Sequence, residues 1–337
     1  MMKHLAVFTL MLLAITQQVH AEHAFTEYKN IEWSKPKGFA LTADIYVPQT
    51  GKKHYPVLII YHGGGWLINR NVIMDDMSHY IASHSDIAVV NVNYRLLADN
   101  NNTTGMNEIV EDALGAVLWV KDNIKHYGGD PNAIAVTGDS AGGHLAAMVM
   151  LAGRNLESDG FAGPTQGFNP SYLPKGKTAE QIAKRDGLRV KAAVLSYAAL
   201  DIYEAAQHGF ESPSNVFWGF AKTEARGIFG PDISLEKNPE YYKAVSPMYL
   251  VPKRSAYKLP PQFVFVGSKD QVTRATMVSR YVDEVKAAGQ PVEFKIYEGK
   301  PHGYLDNGCN AYTQGCFKDL ATPTLDDMIQ FLTNVFK

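Results

Sequence analysis

The run Gly138-Asp139-Ser140-Ala141-Gly142 constrains this chain more than any other feature. Before it stands the apolar, β-branched segment Ala133–Thr137, and after it His144–Leu151, whose composition suits a helix. A Gly-x-Ser-x-Gly between a strand and a helix is a turn so tight that the residues flanking the serine must be tiny. It lifts the serine hydroxyl off the end of a sheet and aims the next backbone N–H, that of Ala141, at the same point. A sheet edge must therefore lie behind the turn, and Ser140 is a candidate nucleophile.

The rest of the chain supplies that sheet. Pro56–Tyr61, Ile87–Val92, Ala133–Thr137, Val190–Ser196, Pro261–Val266 and Val292–Tyr297 read as strands, and the first four are nearly continuous apolar runs, as expected of strands covered on both faces. Helical patterns lie between them: Asn107 to His126, the segment after Ser140, about Thr273 to Ala288, and Thr324–Phe336. Ile31–Trp33 and Ala40–Val47 suit an antiparallel hairpin at the sheet's edge. In a chain of 337 residues, 46% hydrophobic, this alternation predicts one α/β domain over 22–337, with a mostly parallel central sheet and helices on both faces. Two stretches exceed the minimal plan. Residues 153–189 are rich in Gly, Pro and Lys, and residues 201–251 carry many aromatics. Excursions of this length are usually lids or substrate-binding loops.

A net charge of −2, with charged residues interspersed, leaves no nucleic-acid footprint. The N-terminus runs from Lys3 and His4 through apolar Leu5–Ile15 to Val19-His20-Ala21, the order of a signal peptide over 1–21 cleaved after Ala21. Its apolar stretch is too short for a bilayer, which needs roughly 20 residues. The mature chain is expected to be secreted or periplasmic, without a membrane span. Cys309 and Cys316 fit a disulfide in an exported chain, the alternative being two free buried thiols. A metal site is not expected, because no paired Cys/His spacing surrounds them.

His62-Gly63-Gly64-Gly65-Trp66 directly follows the strand ending at Tyr61. Consecutive glycines leave backbone N–H groups free to meet an oxyanion, and the run lacks the Lys-Ser/Thr of a phosphate loop. A nucleophilic serine also needs a base and an orienter. In a sheet with this turn, the acid and then the histidine follow later strands. Asp270 follows Phe263–Val266 and His302 follows the strand ending at Tyr297. Asp201, which also follows a strand, is the competing acid. His62 suits bracing of the glycine turn, and His144 a structural place on its helix. His79, His84, His126 and His208 have no matching strand end.

Together, His62–Trp66, Gly138–Gly143, Asp270 and His302 resemble the α/β-hydrolase superfamily, specifically its hormone-sensitive-lipase-like carboxylesterases and the related acetylxylan and feruloyl esterases. The resemblance runs from about Ile31 to the C-terminus. It implies a Ser140–His302–Asp270 triad and oxyanion N–H groups from Gly63, Gly64 and Ala141. Trp66 would touch substrate, Tyr94-Arg95 and Asp112 would stand at structural ion-pair positions, and no cofactor would be needed. The implied activity is hydrolysis of short-chain carboxylic esters, free or on polysaccharide. Alternatives are amide cleavage by the same site, as in a formamidase or peptidase, and a non-catalytic binding protein on the same scaffold. One departure matters. Relatives of the lipase type carry a helical cap ahead of the first strand, and here only Glu22–Asn30 would precede it, so any cover must come from 153–189 or 201–251.

Overall fold

The alternating pattern at the N-terminal end forms the expected hairpin, Phe25–Ser34 (β1) against Leu41–Pro48 (β2), paired antiparallel. The strand begins earlier than its apolar residues suggest, since Thr26–Lys29 are polar on an edge that faces water. Residues 22–162 and 165–337 are described by this computed structural model, so the expected leader over 1–21 lies outside the described residues.

Six further strands complete an eight-stranded sheet in the order β1-β2-β4-β3-β5-β6-β7-β8. They are Tyr55–Tyr61 (β3), Ala88–Val92 (β4), Gly129–Asp139 (β5), Ala192–Ser196 (β6), Gln262–Gly267 (β7) and Val292–Tyr297 (β8). All neighbouring pairs from β4 to β8 are parallel. β4, β6 and β7 are buried at every position, as strands covered on both faces must be. At the outer edge, β8 exposes Glu293 and Lys295, charges that discourage edge-to-edge pairing. β5 is longer than its apolar core, because Asp130, Pro131 and Asn132 fall in a break of register between Tyr55 and Val57 of β3.

Five longer helices cover the sheet: Asp75–His84 (α1), Met106–Asn123 (α2), Ala141–Ala152 (α3), Ala275–Ala287 (α4) and Thr322–Phe336 (α5). Nearly every residue of α3 is buried, which its all-round apolar sequence requires. A buried pair joins the loop after β4 to α2: Arg95 donates to Asp112 from Nε at 2.8 Å and from Nη2 at 2.7 Å. Breaking such a pair from one side typically costs about 3–5 kcal/mol. It occupies the structural position the sequence suggested. No helix among the described residues is long and apolar enough to cross a membrane.

The two excursions go to different places. Residues 153–189 lie along α2, where the Ser171 N–H donates to the Glu111 carbonyl (3.1 Å) and the Tyr172 hydroxyl to Asp122 (2.6 Å). Residues 201–251 form three short helices, Ile202–Gln207, Val216–Ala221 and Pro239–Ala244. Their aromatics turn mostly inward: Phe210, Trp218 and Tyr242 are buried, and Phe229 packs edge-on to Tyr242 at 5.1 Å. Arg226 ties this unit to the loop after β4, donating to the carbonyls of Leu97 (2.8 Å) and Thr104 (2.6 Å).

Candidate active site

Four turns meet at the carboxyl ends of β3, β5, β7 and β8, the edge at which open α/β sheets bind ligands. β5 ends at Asp139 and α3 starts at Ala141, so Ser140 alone makes the turn, with φ 50° and ψ −115°. For a serine this conformation costs about 1–3 kcal/mol and persists only where its surroundings enforce it. They do so by close approach: a Cβ at Gly142 would collide with the Tyr61 carbonyl. The Ser140 N–H donates to the Ser196 carbonyl at 3.0 Å, pinning the turn to the end of β6.

The Ser140 Oγ lies 2.9 Å from His302 Nε2, and His302 Nδ1 lies 2.8 Å from Asp270 Oδ2. With Nδ1–H donating to the carboxylate, Nε2 is left to accept the serine proton. Asp270 is itself fixed, its Oδ1 accepting the N–H groups of Val272 (2.9 Å) and Thr273 (2.8 Å). Ser140, His302 and Asp270 are 6%, 8% and 3% exposed, so these contacts sit at the floor of a depression with little competing water. Asp201 goes elsewhere. It caps the Ile202–Gln207 helix by accepting the Glu204 N–H at 2.9 Å, and its carboxylate stands 3.9 Å from Arg280.

The glycine turn is braced from below. The His62 ring stacks on Tyr94 at 4.3 Å, its Nδ1–H donates to the Gly63 carbonyl at 2.7 Å, and the Tyr94 hydroxyl donates to the His62 carbonyl at 2.6 Å. Burial lowers His62 to about 4, which keeps it neutral. Gly64 adopts φ 115°, a region closed to other residues, and its carbonyl accepts the N–H groups of Leu67 and Ile68. The Asp139 carboxylate packs so close to Gly63 that a Cβ there would strike it, and burial pushes that carboxyl up to about 6. Gly65 borders the same pocket as Ser140. Ala141 opens α3, where an N–H has no intrahelical acceptor.

Beside Ser140 lies a pocket of about 240 Å³, walled by Trp66, Leu200, Phe210, Phe217, Val272 and Met277. Trp66 contributes ring surface only, because its indole N–H is committed to His144 Nδ1 at 3.1 Å. His144 in turn donates from Nε2 to the Val245 carbonyl at 2.7 Å, and burial lowers it to about 4. It therefore links the glycine turn to the 201–251 unit, a role its place next to the serine turn did not suggest. A larger open depression of about 730 Å³, lined in part by Arg70, Val72, Asp99 and Asn307, lies beyond the glycine turn and does not reach Ser140.

Cys309 and Cys316 are joined in a disulfide across a two-residue-wide hairpin. Just before it, Asn307 accepts the Asp76 N–H at 2.7 Å and Gly308 donates to Asp76 at 2.8 Å, docking the hairpin on the start of α1. The start of α1 is brought next to the His302 turn in this way. No apolar periodicity in the sequence had singled that helix out.

A family model described as BD-FAE matches residues 43–281. Carboxylesterase NlhH of Mycobacterium tuberculosis is 35% identical over 130 residues, 39% of this chain and 38% of its own. The probable isoprenylcysteine alpha-carbonyl methylesterase ICMEL1 of Arabidopsis thaliana is 24% identical over 290 residues, 84% of this chain and 53% of its own. The chain thus spans from 38% to 53% of the length of these curated relatives. Among solved structures, native esterase 2 of Thermogutta terrifontis superposes with a TM-score of 0.63 at 20% identity, over 93% of this chain and 92% of that one. At that identity the likeness establishes the fold, that of an α/β-hydrolase.

Proposed function

The chain belongs to the BD-FAE family, and from that premise we propose that it is a serine carboxylesterase acting through an acyl-enzyme on Ser140. The observation that carries this reading is the line from Ser140 Oγ through His302 to Asp270, at 2.9 and 2.8 Å. His302 Nε2 takes the Ser140 proton as Oγ attacks the ester carbonyl carbon, and the imidazolium that forms is stabilised by Asp270. The carbonyl oxygen becomes an oxyanion, held by backbone N–H groups. We assign that role to the expected Gly63, Gly64 and Ala141, on a turn whose next residue, Gly65, borders the same pocket as Ser140. His302 then returns the proton to the leaving alcohol. Water repeats the sequence on the acyl-enzyme and releases the acid.

The substrates we propose are short-chain esters. A pocket of about 240 Å³ lies below the roughly 300–1,000 Å³ of sites for drug-sized ligands. An acyl chain gains about 0.8 kcal/mol per CH₂ only where walls bury it. Structures of the Thermogutta terrifontis esterase hold propionate and butyrate, which supports the same range. Acetyl or feruloyl groups on plant polysaccharide are the natural polymer-linked candidates, and the disulfide supports a secreted or periplasmic location. A series of 4-nitrophenyl esters from C2 to C12, with acetylated and feruloylated xylan added, tests the reading. The expected kcat/KM is highest at C2–C4. A steady rise out to C10–C12 overturns the short-acyl assignment, and failure of Ser140 to react with a fluorophosphonate overturns the esterase reading itself.

A further inference from the structure

Tyr197, directly after β6, is wholly buried and has φ 34°, a backbone region that a tyrosine rarely enters. Such strain persists only when contacts over-determine it, and Tyr197 makes contacts with β7 and with the loops that carry Asp270 and His302. Its N–H donates to the Phe265 carbonyl of β7 at 2.7 Å. Its carbonyl accepts the Thr273 hydroxyl at 2.8 Å, and Thr273 is the residue whose N–H holds Asp270 Oδ1. The ring stands edge-on to the His302 imidazole at 4.9 Å and 63°, limiting how far that ring can tilt. The hydroxyl accepts the Leu305 N–H, three residues beyond His302, at 3.3 Å.

We propose that Tyr197 is a positioning residue of this reaction, its ring bearing on His302 and its hydroxyl holding the turn beyond it through the Leu305 N–H, so that the imidazole keeps one geometry between Ser140 and Asp270. The proposal rests on the esterase reading and goes beyond it. Tyr197 does not line the pocket beside Ser140, so its removal acts on chemistry rather than on binding. Its backbone adjoins Ser196, whose carbonyl accepts the Ser140 N–H.

Tyr197→Phe keeps the ring and deletes only the hydroxyl that accepts the Leu305 N–H. The expected result is a fall in kcat of about tenfold with KM within twofold of wild type, and an equal slowing of Ser140 phosphonylation by a fluorophosphonate. An unchanged melting curve would confirm that the effect is local. Tyr197→Gly relieves the φ strain and removes the side chain. It should be more impaired than the Phe variant. Undiminished kcat and phosphonylation in Tyr197→Phe, or full activity in Tyr197→Gly, overturns the role of Tyr197. A wild-type protein that does not react with the probe overturns the esterase reading, and with it this proposal.

Discussion

The two excursions from the sheet, 153–189 and 201–251, look alike as interruptions of the α/β pattern, yet they serve different ends. Among the described residues, the first contributes nothing to the pocket beside Ser140, whereas the second supplies Asp201, Ala205, His208, Phe210, Asn215 and Phe217 to it. The first is fastened to the outside of α2 through polar contacts such as Tyr172 with Asp122. The second packs its own aromatics into a satellite core and presents one face to the serine. Length and loop character mark both as insertions. Only the aromatic content distinguishes the one that has to shape an apolar pocket.

The largest effect should come from the floor that neither excursion builds. Ser140→Ala should lower kcat by about 10⁴ or more with the melting temperature unchanged, since the hydroxyl packs no core. Activity within tenfold of wild type would remove Ser140 from the mechanism and leave the excursions to be compared around some other centre.

Next in size is the contrast in selectivity. Phe217→Ala opens the wall that the second excursion supplies, and should raise the ratio of kcat/KM for hexanoyl over acetyl esters by about tenfold, the scale of one or two methylenes in an apolar pocket. Tyr172→Phe, in the first excursion, should leave that ratio unchanged. A shift of equal size in both variants would erase the distinction.

The convergence of Ser140, His302 and Asp270 was legible because the chain's motifs leave few choices. A serine at that turn requires Gly138 and Gly142, and chain order then limits the acid and base to loops after later strands, where Asp270 and His302 stand. What holds the glycine turn was not legible, because the Asp139 carboxylate that packs against Gly63 lies far from it in the chain. The role of Trp66 was obscured for a similar reason. Its partner His144 is 78 positions away, and composition says nothing about which end of an indole is committed. The start of α1 near the His302 turn depends on Asn307 and Gly308 reaching Asp76, contacts made only by the folded chain.

The excursions should also differ in how pH acts on their anchors. His144 fastens the second one through Val245, and its folded value of about 4 lies below the ordinary 6.5. Between these values the unfolded chain binds the extra proton, so the anchor's stability is fully present above about pH 6.5 and is lost as pH falls toward 4. His144→Gln should flatten the acid side of a plot of melting temperature against pH. A slope between pH 4.5 and 6.5 identical to that of wild type would show that the anchor does not titrate as the buried imidazole requires.

The first excursion should show the opposite sign, with a smaller amplitude. Glu111, on α2, accepts the Asn169 N–H at 3.1 Å, and burial pushes its carboxyl up to about 8 from 4.5. The folded protein therefore holds a proton that the unfolded chain has released, and this contribution is fully present below about pH 4.5 and is lost as pH rises through 8. Glu111 retains some contact with solvent, which screens the cost of its charge, so the shift is worth less than its span in pH suggests. Glu111→Gln keeps the oxygen that accepts from Asn169 and removes the titration. It should raise the melting temperature at pH 8.5 by about 2 °C, leave it unchanged at pH 5, and leave acyl selectivity untouched, since 153–189 stands apart from the pocket. A gain at pH 5 equal to that at pH 8.5 would mean that Glu111 is destabilising for a reason other than its charge. A change in selectivity would mean that the first excursion reaches the active site after all.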